Sequence, residues 1–518
     1  MSKNAGDVTA EPVRQGMTAL PLAPIADAKR IDAMDILRGI ALVGILLMNV
    51  EWFGRSIGEI GSFDASLSGM DHATGWLVRC FVEGKFYKMF ALLFGMGFAV
   101  MLIRAREVGK PFGAWFTRRM LVLFAFGMLH MTFLWGGDIL HDYAFAGLLF
   151  LGWIYLIQTK PFRRFDSPRM FLRVGIVWMF APFVVAATAA LVFGTSFDPA
   201  EIAAQWKEEQ RIVALVDARL ESSPAESDQS LSDNPAPAND GSKIESEVLT
   251  GAVETATSTG DQPDAPGETQ EAELSDEEQL EQTVNEIVER KRERNKHIAE
   301  EIDAFTNASY WQATEFRFRD GLSRTAFTPT FSLLILMPIF LIGYWFVSSG
   351  TLRNHTRNQH IFRPMALLGM TFGLFFTIGG LSVMQHPASE ISDILQATGG
   401  TLFFFGQYVL CAGYLGSIVI LLGNPAWSKR LNRFAPMGRM ALTNYIMDTV
   451  ILVVIFHGYA GGLFGQISRA PQMLIVTAIV IFQFYFSGWW LARFRFGPLE
   501  WLWRSLTYKS VQPMRIGS

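Results

Sequence analysis

Leu129–Gly147 reads L-H-M-T-F-L-W-G-G-D-I-L-H-D-Y-A-F-A-G, an apolar run, a Gly136-Gly137 break and a second apolar run. Within it, His130, Asp138, His141, Asp142 and Tyr143 crowd around one short turn. The runs on either side approach the roughly 20 apolar residues a bilayer-spanning helix needs. The pattern therefore predicts two antiparallel membrane helices joined where water and hydrocarbon meet. Ionisable groups are costly in that setting, which makes them functional suspects.

Outward from this turn the rest of the chain reads the same way. The 518 residues are 50% hydrophobic and 13% aromatic, and only 18% are charged. Apolar runs recur at about 36–53, 86–103, 118–136, 139–158, 170–193, 328–348, 364–383, 399–422, 438–456 and 472–492. These predict an all-α, polytopic integral membrane helix bundle of about ten transmembrane helices. The net charge of −4 says little about the whole chain, because the acid is concentrated in one internal segment. There is no basic stripe and no zinc-ligand spacing, so nucleic acid is not an expected partner and no metal site is expected. Cys80 and Cys411, far apart in apolar segments, read as small core residues. No small-residue cleavage site follows the first run, which ends in Glu51-Trp52-Phe53, so it reads as a retained helix.

Lys and Arg crowd the loops after even-numbered runs: Arg104, Arg106, Lys110, Arg118 and Arg119, then Lys160, Arg163, Arg164 and Arg169, then Arg353, Arg357 and Arg363, then Lys429, Arg430 and Arg433. By the positive-inside bias both termini are expected in the cytoplasm, and the turn at Asp138 outside. The first outer loop, with Arg55, Arg79, Lys85 and Lys88, runs against the bias. Five regions follow: a flexible tail over 1–33, membrane helices over 34–195, an extracytoplasmic insert over 196–325, membrane helices over 326–495 and a C-terminal tail over 496–518. Inside the insert, the acidic, Pro/Ser/Thr/Gly-rich stretch 222–275 is expected to be disordered, since it buries too little apolar area to offset chain entropy. Helices flank it: one opens at Asp198-Pro199, the other at Ser275…Glu278 with Leu280, Val284, Ile287 and Ile298 at helical spacing, and the two are expected to pair as a hairpin. The insert reads as a solvated charged extension.

Several motifs resemble the YeiB family of bacterial inner-membrane proteins. They are Asp35-Ile-Leu-Arg38-Gly39 running to Gly44 and Asn49, Glu83-Gly84-Lys85-Phe86 into Phe94-Gly95-Met-Gly97-Phe98, and Gly137-Asp138-Ile-Leu-His141. Near the C-terminus come Pro436-Met-Gly438-Arg439 to Tyr445, Gly461–Gly465, and Phe496-Gly497-Pro498-Leu499-Glu500 to Tyr508. That family is similar in its N-terminal half to the transmembrane acyltransferases. The resemblance implies acyl transfer from cytoplasmic acyl-CoA, a co-substrate and not a bound cofactor, to an outward-facing acceptor, with an outer-side histidine serving the transfer. The N-acetyltransferases of that group place this histidine in the first outer loop, shortly after an asparagine matching Asn49; here the His in that loop is His72.

Each constellation has a plain and a functional reading. Asp35 and Arg38 can pair along the helix, with Arg38 snorkelling, or Arg38 can meet a phosphate. Asn49 is either an ordinary interfacial residue or an oxyanion donor. Arg439 and Asn444 either join helices or line a donor pocket. Gly95 and Gly97 read as helix packing, not as a dinucleotide fingerprint. Glu500 and Arg504 are expected to pair. His130 reads as a packing histidine unless Asp138 and His141 converge on it. If they do, an imidazole oriented by a carboxylate is a general base. His130, Asp138 and His141 are thus the candidate catalytic residues, and Arg38, Asn49, Arg439 and Asn444 the candidate donor- or oxyanion-binding ones. The expected partners are the lipid bilayer and an envelope glycan or lipid acceptor. The alternative is a transporter or flippase without covalent chemistry, disfavoured by the lack of evident inverted repeats.

Overall fold

A computed structural model describes residues 31–57, 67–193, 199–222, 276–386 and 393–516. The expectations for most of the N-terminal tail, for Asp198 and for the acidic stretch 223–275 lie outside the described residues. The described chain is helical, its only strand-like pairing an isolated bridge from Phe494 to Arg515.

All ten apolar runs form helices. They are α1 (Asp32–Gly54), α3 (Lys85–Glu107), α4 (Gly113–Phe133), α5 (Leu140–Gln158), α6 (Pro168–Phe193), α10 (Thr328–Ser348), α11 (Gln359–Met384), α12 (Asp393–Leu422), α14 (Ala441–Phe456) and α15 (Arg469–Leu491). Short α2 (Gly69–Phe81) leads into α3, and α13 (Pro425–Arg439) meets α14 at a 75° bend. Among the described residues eight helices have the length and apolarity to cross a membrane, or nine with the bent pair. The remaining run, α4, carries Arg118, Arg119 and His130 in its 21 residues and so falls short on apolarity. The protein is a multi-pass membrane helix bundle.

Two devices hold the bundle. One is an aromatic core in which the Phe98 ring lies edge-on to Phe116 and Phe150, both 4.6 Å away, and Phe94 stacks on Phe340 at 5.0 Å. Such pairs add roughly 0.5–1.5 kcal/mol each beyond area burial. The other is close helix approach at small residues. A Cβ on Gly95 of α3 would lie 2.5 Å from the Phe340 carbonyl oxygen, and one on Gly369 of α11 would lie 2.5 Å from the Gly413 backbone of α12. Helix crossings in membranes rely on this kind of contact. Gly97, by contrast, is not packed, and its open face looks into the cavity described below.

The two ends of the bundle differ. At one, α1 begins against the bend of α13 and α14: a Cβ on Gly438 would lie 1.8 Å from the Asp35 carbonyl oxygen. α16 (Pro498–Tyr508) lies at this end too, its Trp503 Nε1 donating to the Arg119 carbonyl at 2.9 Å. Both oxygens of Glu500 are engaged at the start of α14, accepting from the N–H groups of Leu442 (2.7 Å) and Thr443 (3.1 Å) and from the Thr443 hydroxyl (2.6 Å). A carboxylate there complements the positive helix terminus, a use that the i,i+4 spacing to Arg504 did not disclose. Burial pushes the Glu500 carboxyl up, against the pull of these donors.

The opposite end carries the insert. α7 (Pro199–Ser222) and α8 (Asp276–Thr306) pair antiparallel through Val216, Val284 and Val288, with Lys291 and Asp217 3.2 Å apart. The end of α8 and one face of α9 (Tyr310–Arg324) are not solvated but docked. Glu301 is buried and accepts from the Ser56 hydroxyl and from Ile57 N–H at 3.1 Å. Arg317, 1% exposed, donates to the Thr132 carbonyl at 3.2 Å between the rings of Phe305, Tyr310 and Tyr459. Rings, that carbonyl and the hydroxyls of Thr314 and Tyr459 compensate its desolvation, and no carboxylate pairs with it among the described residues.

Candidate active site

A cavity of about 710 Å³ runs through the bundle, within the roughly 300–1,000 Å³ of small-molecule sites. Its wall on α1 extends from Ile31 to Trp52, roughly 30 Å at about 1.5 Å per residue, close to a bilayer's hydrocarbon thickness. The lining repeats at helical spacing: Arg38, Leu42, Ile45 and Asn49 on α1, and Phe90, Phe94, Gly97, Met101 and Arg104 on α3. One end holds Arg38, Arg104, Arg119, Arg439 and Arg504 among Trp115, Trp503 and Tyr508. The other holds Asn49, Asp138, His141, Asp142 and Arg324.

The three candidate catalytic residues meet. Asp138 Oδ1 lies 2.8 Å from His130 Nδ1, and Oδ2 lies 3.0 Å from His141 Nδ1. Oδ2 also accepts the His141 backbone N–H at 3.1 Å. The α4–α5 turn places the carboxylate at the start of α5, where a helix N-terminus favours an anion. Gly127, one turn before His130, makes the fit possible, since a Cβ there would lie 2.5 Å from His141 N and 2.7 Å from Asp138 Oδ2. Burial pushes the Asp138 carboxyl up, but hydrogen bonds from both histidines outweigh it and hold the group below its ordinary value.

The two histidines hold different positions. His130 is buried, with Nε2 2.9 Å from the Thr449 hydroxyl, and it is not among the cavity-lining residues. His141 lines the cavity, and with Nδ1–H given to Asp138 its Nε2 carries the lone pair, 3.5 Å from Asp142. That is the arrangement of an oriented base. His72 is exposed on α2 and does not line the cavity.

Of the other candidates, Arg38, Asn49 and Arg439 line the cavity. Arg38 also pairs with Asp35 at 2.7 Å. Asn444 does not line it: its amide donates to the Met437 carbonyl and to Ser487, both at 3.1 Å, tying α14 to α13 and α15. Arg104, Arg119 and Arg324 were missed as site residues. The first two had a signal, since Arg104 continues the Gly97–Met101 stripe, but as loop arginines they read as topology markers. Arg324 had no local signal.

Residues 346–510 match the family described as Protein of unknown function (DUF418). The uncharacterized protein YxaH of Bacillus subtilis (strain 168) is 25% identical over 95% of this chain and 98% of its own length. An uncharacterized 39.9 kDa protein in the amylase 3' region of Bacillus acidopullulyticus is 24% identical over 95% and 97%. No solved structure matches the chain. The uncharacterized protein YeiB of Escherichia coli (strain K12) is 23% identical over 94% of this chain and 98% of its own length, so the chain is related to YeiB over nearly its full length and carries the DUF418 match at 346–510.

Proposed function

We propose that the chain is a membrane acyltransferase that moves an acyl group from a donor at the arginine end of the cavity to a hydroxyl acceptor at the insert end. The observation that carries this reading is a single cavity lined by Arg38, Arg104 and Arg439 at one end and by the Asp138-oriented His141 at the other. The Lys/Arg bias of the loops supports an orientation with the arginine end and both termini in the cytoplasm of a bacterial inner (cell) membrane. The donor is then cytoplasmic acyl-CoA, whose phosphates suit guanidinium groups.

His141 Nε2 takes the proton of the acceptor hydroxyl as its oxygen bonds to the thioester carbonyl carbon. The C–S bond then breaks, and the imidazolium returns the proton to the departing thiolate. Asn49 lines the same end, in reach of the developing oxyanion. His130 is a positioning residue that holds Asp138 from its far oxygen.

The reading is tested with the full chain in sealed vesicles given acyl-labelled CoA on the arginine side, with extracted envelope lipids and glycans inside. Release of free CoA together with label on an acceptor, seen by mass spectrometry, is the expected result. Label crossing without an acylated product would overturn the reading in favour of transport.

A further inference from the structure

Arg324 is the cation at the catalytic end of the cavity. Its Nε donates to Asp320 at 2.7 Å, and Asp320 in turn lies 3.2 Å from His297 of α8. Among the described residues no protein acceptor meets its Nη1 and Nη2. A carboxylate on the Nε side fixes the guanidinium plane and leaves the outer edge, two parallel N–H groups, for a ligand anion. The residue is carried over the catalytic turn by α9. A Cβ on Gly321 would lie 2.8 Å from Met131, and one on Gly136 would lie 3.8 Å from Asp320.

The wall beside Arg324 reaches the surface of the bundle. Phe327 lines the cavity and is 60% exposed. Trp311, Phe318 and Leu322, at helical spacing on α9, are also exposed and continue the apolar belt of Leu129 and Phe133 on α4. Tyr310 joins the two elements by donating to the Phe133 carbonyl at 2.9 Å. The exposed side of α9 thus sets Trp311, Phe318 and Leu322 beside the charged Glu315 and Arg319, a mixed surface suited to the membrane interface.

Building on the acyl-transfer reading, we infer that the acceptor is an anionic lipid bearing a free hydroxyl. It enters from the bilayer past Phe327 and seats its phosphate on Arg324, with the headgroup hydroxyl toward His141. The insert thus contributes a specificity residue to a site whose base lies in the membrane helices.

The test follows thermal unfolding of the purified full chain in detergent. It is titrated with phosphatidylglycerol, with phosphatidylcholine of the same acyl chains, and with soluble glycerol phosphate. Phosphatidylglycerol is expected to raise the unfolding midpoint more than phosphatidylcholine, and glycerol phosphate at equal concentration to leave it unmoved. Arg324→Gln should require about tenfold or more phosphatidylglycerol for the same shift, the scale of one charge-assisted contact. Arg324→Lys, which keeps the charge but gives up the two parallel N–H groups, should also lose affinity, though by no more than Arg324→Gln. Basic groups at the arginine end also attract anionic lipid, equally in parent and variants, so the difference between them is the readout. The inference falls if the two lipids act alike, if Arg324→Gln titrates like the parent, if Arg324→Lys binds more weakly than Arg324→Gln, or if glycerol phosphate matches the lipid. None of these measurements needs a donor or a turnover. Selective lipid binding without acyl transfer sinks the proposed reaction alone, and transfer indifferent to Arg324 sinks this inference alone.

Discussion

Among the places where the bundle buries ionisable groups, two are built on opposite plans. At the α4–α5 turn, one carboxylate is shared by two imidazoles, and His141 keeps its second nitrogen on the cavity side. At the start of α3, Lys85 and Lys88 are fully buried, and among the described residues neither forms an ion pair with a carboxylate. Lys85 donates to the Arg79 carbonyl at 2.9 Å and lies over Phe403, while Lys88 donates to Gln407 and sits among the rings of Tyr87, Phe404 and Tyr408. Neither lysine lines the cavity. Both clusters would rank as functional on cost alone. Only the first reaches the cavity that runs through the bundle, so access and not burial marks it as the candidate site.

The comparison breaks first at the histidines. His141→Ala should lower acyl transfer by roughly 10²–10⁴-fold, the usual contribution of a general base, while the backbone N–H of residue 141 still serves Asp138 Oδ2 and limits the loss of stability. His130→Ala takes the imidazole from Asp138 Oδ1, so it should cost more stability, about 1–3 kcal/mol, alongside a smaller loss of rate. Thermal unfolding and initial rates on the same preparations check the split. If the two variants lose rate and stability in equal proportion, the cavity does not separate their roles.

The lysines give the reverse pattern. Lys88→Ala should cost about 2–5 kcal/mol, as for other large core side chains cut to Ala. Lys88→Met keeps the volume, drops the buried charge and should stay within about 1.5 kcal/mol of the parent. Transfer rates per folded molecule should match the parent in both. A Lys88→Met variant that folds normally yet transfers nothing would move Lys88 from fastening to site.

A third buried titratable group tests the docked insert. His457 lies at the start of the loop after α14 and is 1% exposed, its ring 4.7 Å from Phe305. Burial, with the Arg317 charge nearby, lowers it from 6.5 to about 3, so the docked imidazole is neutral. Below about pH 6.5 the undocked loop binds a proton that the docked one refuses, so docking weakens as pH falls. At pH 5 the loss should be about 2 kcal/mol, at roughly 1.4 kcal/mol per pH unit. Protease cleavage within α8 and α9 should rise between pH 7.5 and 5 in the parent and stay flat in His457→Phe. Equal pH dependence in both would place the titration elsewhere.

The fold was largely legible because a bilayer imposes length and apolarity on each span. All ten runs are helices, and only α4, diluted by Arg118, Arg119 and His130, hides its nature from a hydropathy criterion. The convergence of His130, Asp138 and His141 was legible for a local reason: the twelve residues from His130 to His141, folded at one Gly-Gly turn, leave few ways to separate them. The different placements of the two histidines were not, because they depend on Thr449 in α14, more than 300 residues away. Arg317 and Glu301 were misread as parts of a solvated extension because partners such as Thr132, Tyr459, Ser56 and Ile57 lie more than 140 residues away in sequence. Charge in a sequence reports composition, and only the fold reports which charges keep their water.

The smallest predicted effect makes that point by contrast. Lys291 and Asp217 join α7 to α8 at 3.2 Å, a shorter separation than the Arg79–Glu83 pair at 3.5 Å near the buried lysines. Distance alone would make it the stronger contact, but Asp217 is half exposed, and water and salt screen the attraction while two long side chains lose freedom. Lys291→Ala should therefore cost under about 1 kcal/mol, and the hairpin should stay closed on Val216, Val284 and Val288. Val284→Asp puts a charge into that apolar seam and should open the hairpin, seen as new protease cleavage in α7 and α8 with unchanged transfer. A Lys291→Ala variant that opens the hairpin as fully as Val284→Asp would show that the exposed pair, and not the valine seam, holds the two helices together.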